Sequence, residues 1–146
     1  FFRYRFGDNT LAEDLTSATF EKAWMKRSQY RHDLSAFSTW LFTIARRVAI
    51  DHLRQRQVEV ALDEAHNLCA DQNLDEAVER QADLRHLNAL LFQLNDRERE
   101  LIALKYGAGL TNRAIANISG CSESNVGVIL HRIVKSLREK WDRSNE

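Results

Sequence analysis

The sequence contains few of the residues that interrupt helices or form covalent cross-links. Its 146 residues include no proline, five glycines and two cysteines. The scarcity of proline and glycine favours long helices over a turn-rich β architecture. The cysteines, Cys69 and Cys121, are too few for a disulfide framework and are typical of a reducing cytosol. No run approaches the roughly 18 apolar residues that cross a membrane. We therefore expect an all-α, cytoplasmic protein without membrane insertion.

The sequence also lacks a catalytic or metal-binding constellation. Asp51 and His52 are adjacent, so on a helix they point about 100° apart and cannot act as a base and its orienting group. His66 and Cys69 have a metal-like spacing, but two ligands do not complete a zinc site. No phosphate-binding loop is present in the sequence. We predict that the protein is not an enzyme and binds no metal or cofactor.

Net charge is absent as well, because 21 Lys and Arg residues balance 21 Asp and Glu residues. Over the whole chain, this balance argues against a nucleic-acid partner. Counted by segment, the charge is about +4 in residues 1–57, about −7 in residues 58–84 and about +3 in residues 85–146. The pattern predicts two small basic domains joined by an acidic connector, with each domain able to approach a polyanion.

A helix is predicted near the start of the first basic segment. Thr10 and Glu13 have the spacing of a capping box, which predicts a helix over residues 11–26. Steps of three and four residues place four side chains on one face of this helix, namely Asp14, Ser17, Glu21 and Trp24. The spacing allows two interpretations of this face, a solvated acidic surface or a docking surface for a basic partner.

Residues 30–38 interrupt the helical period and predict a loop. The loop presents side chains that can stack on or hydrogen-bond an unstacked nucleobase, among them Tyr30, Arg31 and His32. Such a loop beside a basic helix could hold a single base.

A second helix is predicted over residues 39–57, and it is rich in arginine. Arg47 and Arg54 lie two turns apart on one side, and Arg46 flanks them. Asp51 lies between them at a spacing that would allow ion pairs with both, which would fix their direction as base recognition requires. An ordinary solvated helix face is the alternative interpretation.

The second basic segment has the pattern of a helix-turn-helix. Leucines at helical spacing predict an amphipathic helix over residues 74–94, with one face formed by Leu84, Leu87, Leu90, Leu91 and Leu94. A short helix over 112–118, a turn at Gly120 and a final helix over 123–141 follow. In the final helix, the side chains best placed to contact base edges are Ser124, Asn125 and Val128. The groups placed for phosphates are Arg113, His131, Arg132 and Lys135.

These segments together resemble one family, the bacterial RNA polymerase sigma factors of the extracytoplasmic-function (ECF) type within the sigma-70 family. AEDLTSATFEKAW (12–24) resembles the polymerase-binding helix of the family's region 2. FSTWLFTIARRVAIDHLRQR (37–56) resembles the segment that recognises and melts the minus-ten promoter element. Residues 94–139 resemble region 4, which carries the family's helix-turn-helix.

The resemblance implies a promoter-specificity factor made of two helical domains on a flexible linker. Region 2 would occupy residues 1–57, the acidic linker 58–75 and region 4 residues 76–146. Because Phe1 is not an initiator methionine, we expect region 2 to be N-terminally incomplete. The implied partners are core RNA polymerase, promoter DNA and an inhibitory anti-sigma factor.

Carried over by position, the resemblance assigns three sets of residues. Polymerase binding falls on Asp14, Ser17, Glu21 and Trp24. Minus-ten binding falls on Tyr30, Arg31, His32, Arg46, Arg47 and Arg54. Minus-thirty-five binding falls on Arg113, Ser122, Ser124, Asn125, Val128, His131, Arg132 and Lys135. The sequence departs from the family pattern in residues 125–129, where two usual basic positions are lost.

Two other functions fit parts of the pattern. A helix-turn-helix regulator with a helical sensor domain would bind duplex DNA without polymerase, usually as a dimer. A protein-binding helical module whose DNA-binding face has decayed would bind neither DNA element. Binding to core RNA polymerase distinguishes the sigma factor from the regulator.

Overall fold

A computed structural model describes residues 1–62 and 78–144 of the chain. These residues form seven α-helices and no strand, which confirms the predicted all-α fold. The helices are α1 (Phe2–Phe6), α2 (Asn9–Met25), α3 (Phe37–Leu62), α4 (Val78–Phe92), α5 (Asp96–Ile102), α6 (Asn112–Ser119) and α7 (Glu123–Ser144). A 3-10 turn at Arg27–Gln29 follows α2, and a π-helical turn at Ala103–Gly107 follows α5. No helix within the described ranges is long and apolar enough to cross a membrane.

The N-terminal boundary of α2 differs from the prediction. The Asp8 carboxylate accepts a hydrogen bond from the Leu11 backbone N–H at 2.9 Å, so Asp8 caps a helix that begins at Asn9. The predicted capping box of Thr10 and Glu13 is therefore wrong, because an acceptor two residues earlier already satisfies the first free N–H groups. The short helix α1 precedes this cap and was not predicted.

Helix α3 continues to Leu62, beyond the predicted end at residue 57. Residues 58–62 contain neither proline nor glycine, so nothing in the local sequence stops the helix. The predicted linker is thus helical at its start. The rest of it, with His66 and Cys69, lies outside the described residues.

The N-terminal half is built on the contact between α2 and α3. Small side chains allow the two helices to approach closely, and the buried residues are Phe2, Ala12, Leu15, Ala23, Ile44, Ala45, Val48 and Ala49. Thr19 is also buried, but its hydroxyl donates to the Leu15 carbonyl at 2.7 Å, so no unpaired polar group enters the core. This packing leaves the opposite faces of both helices exposed.

The C-terminal half is built around the predicted helix-turn-helix. Its most deeply buried side chains are Leu101, Leu104, Ile115 and Val126, which come from α5, the π-helical turn, α6 and α7. The predicted apolar face of α4 is buried only at Leu90, Leu91 and Leu94. Leu84 and Leu87 are exposed, contrary to the prediction, because the N-terminal turns of α4 lie beyond this core.

The two halves pack directly on one another. Helix α1 contacts α5 and the π-helical turn, and α3 contacts α6. Phe1 and Phe42 pack against the cores of both halves. The sequence predicted two domains on a linker and did not indicate this contact.

Candidate nucleic-acid interface

The first candidate surface lies on α2, opposite its buried face. Asp14, Ser17, Glu21 and Trp24 are all exposed on this side. Ser17 donates only to the Glu13 carbonyl of the preceding turn, at 3.0 Å. Asp14 and Glu21 form no ion pair with another described residue. The helix therefore presents two free carboxylates beside an exposed indole.

Trp24 is the most prominent apolar group on this surface, with 70% of the residue exposed. The Arg27 guanidinium lies 4.6 Å from the centre of its ring and donates to the Trp24 carbonyl at 2.9 Å. This stacking orients the indole without burying it. Phe20, one turn earlier, is 57% exposed and extends the same surface. Phe20 is not among the residues predicted for this face, although its spacing of four residues from Trp24 is a usable signal.

The predicted base-capture loop contains an aromatic cluster. The Tyr30 ring packs against Phe37 and Trp40, at centroid distances of 5.5 and 5.2 Å. The Tyr30 hydroxyl donates to the Ser35 carbonyl at 3.3 Å, and this hydrogen bond connects the two sides of the loop. Tyr30 is half-buried, whereas residues 31–34 at the tip are all exposed, and Arg31 and Asp33 among them pair with each other. The structure thus places Tyr30 as a support of the loop and leaves His32 accessible to a ligand.

Arg31 and Asp33 form a local ion pair in this loop. The Arg31 guanidinium donates to both oxygens of the Asp33 carboxylate, at 3.2 and 2.6 Å. The hydrogen bonds raise the pKa of Arg31 and lower the pKa of Asp33. Both side chains are exposed, so this pair competes with a phosphate for Arg31 and does not stabilise the fold appreciably.

The arginines of α3 fall into two groups. Arg47 and Arg54 are exposed and have no partner among the described residues. Arg46 points elsewhere, because consecutive helical residues diverge by about 100°, and its Nε donates to Glu100 of the C-terminal half at 3.0 Å. The predicted bracing by Asp51 is wrong, because Asp51 pairs instead with Lys22 of α2 at 3.5 Å. Lys22 reaches Asp51 across the α2–α3 contact, which local spacing cannot reveal.

The helix-turn-helix geometry of the C-terminal half agrees with the sequence. The Thr111 hydroxyl accepts from the Ala114 N–H at 3.2 Å and caps α6. Gly120 ends α6 with a φ of 71°, a left-handed conformation that suits glycine. The Ser122 hydroxyl accepts from the Asn125 N–H at 3.2 Å and fixes the start of α7. Two caps and one glycine thereby set the angle between the helices.

All eight residues predicted for minus-thirty-five contact are exposed. Ser124, Asn125 and Val128 occupy the first turns of α7, and 67% of Val128 is exposed. The flanking bases have internal partners, since Arg113 pairs with Glu123 at 3.2 Å and Arg132 with Glu98 at 3.3 Å. Both guanidinium groups are exposed, so these pairs are weak and can exchange for phosphates.

Cys121 lies beside the turn and is half-buried. Its Sγ accepts a hydrogen bond from Arg97 at 2.7 Å. Hydrogen bonds from Ser119 and then Arg97 lower the pKa of the Cys121 thiol. The described residues contain no cluster of three or more side chains that could hold a metal ion.

Family comparisons match both halves of the chain. The family model described as Sigma-70 region 2 matches residues 1–59, and the one described as Sigma-70, region 4 matches residues 90–139. The chain is 30% identical over 137 residues to the ECF RNA polymerase sigma factor SigM of Bacillus subtilis (strain 168), covering 93% of this chain and 83% of SigM. It is 30% identical over 135 residues to the ECF RNA polymerase sigma factor SigL of Mycobacterium tuberculosis (strain ATCC 25618 / H37Rv), covering 90% and 75%.

Solved structures show the same fold. The sigma factor RpoE in a complex with the anti-sigma factor NepR from Bartonella quintana aligns with a TM-score of 0.78 and 27% identity, covering 94% of this chain and 84% of that one. CnrH, solved in complex with the cytosolic domain of CnrY, aligns with a TM-score of 0.69 and 22% identity, covering 97% and 78%. The second likeness concerns the fold alone.

Proposed function

This chain belongs to the ECF RNA polymerase sigma factors, and from that premise we propose how its exposed faces recognise a promoter. A sigma factor of this family gives core RNA polymerase its promoter specificity. One observation supports the assignment of a promoter element to each half of the chain. Each half of the chain has an exposed basic surface, with Arg47 and Arg54 on α3 and Arg113, Arg132 and Lys135 around α7.

We assign the minus-thirty-five element to the helix-turn-helix. The first turns of α7 would enter the major groove, where Asn125 can pair with adenine and Val128 can contact a thymine methyl group. Arg113 and Arg132 would leave their carboxylate partners for phosphates and fix the orientation. Few of these contacts read bases, so duplex binding by the free protein should be weak and dependent on salt.

We assign the minus-ten element to the loop at 30–36 and the adjoining side of α3. A base released from the stack would meet His32 at the exposed loop tip, while Arg47 and Arg54 hold the strand's phosphates. Capture of the base would offset the free energy of unstacking. The aromatic cluster beneath the loop would hold the loop in one conformation while the DNA strands separate.

We assign polymerase binding to the exposed side of α2. An exposed indole flanked by an aromatic ring and free carboxylates is the composition of a protein-binding hot spot facing a basic partner. The protein would act as a cytoplasmic, non-catalytic subunit of the initiating polymerase. By analogy with the Bartonella relative, which was solved with an anti-sigma factor, an anti-sigma factor is the proposed inhibitory partner.

The proposal is tested by binding measurements on the full chain. A fluorescently labelled chain should bind core polymerase tightly and bind random duplex DNA weakly without it. In the polymerase complex, selection from a duplex library should yield a motif, and Asn125→Ala should relax one of its positions while core affinity stays unchanged. Arg143→Ala, at the exposed end of α7, is the matched control. Tight, specific duplex binding without any polymerase binding would instead identify a conventional regulator.

A further inference from the structure

A carboxylate lies at the start of the helix that would enter the major groove. Glu123 is the first residue of α7 and directly follows the capping residue Ser122. Its side chain is 52% exposed. Gly127, one turn further along the same side of α7, has no side chain that could cover it. The carboxylate is therefore accessible in the turn where Ser124 and Asn125 would meet the DNA.

One arginine holds this carboxylate in the free protein. The Nε of Arg113, on α6, donates to Oε2 of Glu123 at 3.2 Å. The terminal nitrogens of Arg113 and Oε1 of Glu123 have no partner in the part of the chain that the structure describes. A guanidinium presents five N–H donors in a rigid fork, so the terminal nitrogens can reach a phosphate while Nε still contacts the carboxylate. Once Arg113 turns fully to the phosphate, Glu123 loses the donor that Arg113 supplied.

The charges around this position make an unpaired carboxylate unfavourable in the groove. Residues 121–131, which include the first turns of α7, contain no lysine or arginine. Duplex DNA carries one negative charge per about 1.7 Å of its axis. A carboxylate in the groove therefore needs a hydrogen-bond donor from a base edge, and it opposes binding where that donor is missing.

The donors and acceptors of the four bases determine which of them can supply this hydrogen bond. A carboxylate accepts hydrogen bonds and donates none. In the major groove, cytosine presents the N4 amino donor alone, adenine presents a donor beside the N7 acceptor, and guanine and thymine present acceptors. The expected order of preference is therefore cytosine, then adenine, then guanine and thymine.

We propose that Glu123 is a specificity-determining residue of the minus-thirty-five contact, which accepts from the N4 amino group of a cytosine when Arg113 moves to a phosphate. This role rests on the proposed function, because it assigns a base to one side chain of the helix-turn-helix. Until the DNA binds, Arg113 holds the carboxylate at the start of α7. Phosphate binding and base recognition are thereby coupled, since a wrong base leaves Glu123 without a donor.

The role is tested by the duplex-library selection with the polymerase complex, applied to Glu123→Gln. Glutamine offers an acceptor and a donor, which together pair with adenine. At one position of the motif, the wild type should favour cytosine by about tenfold, and Glu123→Gln should favour adenine there. Glu123→Ala should lose the preference at that position and keep the rest of the motif. An acid in the first turn also interacts favourably with the dipole of α7, but that effect changes stability and not the identity of a base.

Glu98→Gln is the matched control. Glu98 forms the same kind of ion pair with Arg132, at 3.3 Å, but it lies on α5 and not on α7. Glutamine preserves the capping box with Asn95 and makes the same change in net charge as Glu123→Gln. Both variants free an arginine, so both should raise the affinity for random duplex DNA by about two- to fivefold. Only Glu123→Gln should change the selected motif.

The cytosine contact is refuted if the motif of Glu123→Gln equals that of the wild type, or if Glu98→Gln changes the same position. Circular dichroism checks that each variant is helical, and if Glu123→Gln unfolds, Glu123→Ala decides. The selection is repeated with the chain alone at low salt, where phosphate contacts are strongest. Failure to bind core polymerase would refute the proposed function, while the motifs selected by the chain alone would still decide the role of Glu123. A wild-type chain that selects no motif in either condition would refute that role as well.

Discussion

Replacing Arg47 by alanine separates DNA contact from folding. Arg47 is exposed and has no partner among the described residues. Its removal should therefore change the free energy of unfolding by less than about 0.5 kcal/mol. Arg46, by contrast, cannot be removed without breaking the pair with buried Glu100.

The expected loss of DNA affinity depends on which group of the DNA Arg47 contacts. If it forms a bidentate contact with a base, the loss is about 1–3 kcal/mol, or about 5- to 150-fold in affinity for the open strand. If it contacts only a phosphate, the slope of log affinity against log salt concentration should fall by about 0.7, the value for one single-strand phosphate. In both cases the affinity for core polymerase should not change, because we assign polymerase binding to α2.

The assay follows permanganate reactivity of unpaired thymines in the minus-ten region, with polymerase affinity measured in parallel. Arg47→Ala should reduce the fraction of open complex, and Arg143→Ala should not. Equal losses of polymerase binding and of open complex would refute the role of Arg47 in DNA binding. A wild-type fraction of open complex together with an unchanged salt slope in Arg47→Ala would also refute this role.

Three further predictions concern other faces. Gly127→Ala should stabilise the protein by about 1 kcal/mol in chemical denaturation, because an alanine in α7 has a higher helix propensity than glycine. The added Cβ would lie an ordinary 3.6 Å from its nearest neighbour, so it fits without a clash. A loss of stability would show that α7 is strained there. Trp24→Ala should weaken core polymerase binding by about 30-fold without changing stability, whereas Met25→Ala, an equally exposed neighbour, should have little effect. The ion pair lowers the pKa of Asp33, so the pair is present at neutral pH and is lost as the pH falls through that lowered value. Asp33→Asn should therefore free Arg31 at neutral pH and raise single-strand affinity in fluorescence anisotropy, and unchanged affinity would argue against a DNA role for Arg31.

Local sequence signals predicted the elements that local physics determines. The turn at Gly120 and the two helices beside it are encoded within a few residues of one another, and the structure agrees with them. The start of α2 was placed wrongly because Asp8 and Thr10 both can cap, and only the folded geometry selects Asp8.

Long-range pairs were not predictable from the sequence. Asp51 has suitable arginines three and four residues away, yet it pairs with Lys22, which is 29 residues distant. In the sequence, Glu100 is one of several acidic residues on a charged helix. Its partners are 95 and 54 residues away, and their charges allow it to be buried. The contact between the halves depends on such pairs, so the sequence indicated two separate domains and gave no sign that they pack together.

This chain directs core RNA polymerase to promoters. The most direct measurement is transcription by core polymerase, with and without the full chain, from a plasmid library carrying randomised upstream DNA, with the 5′ ends of the transcripts sequenced. We expect transcripts that depend on the added chain and share upstream elements near minus ten and minus thirty-five. Identical transcripts with and without the chain, in a reaction where a known sigma factor is active, would contradict it.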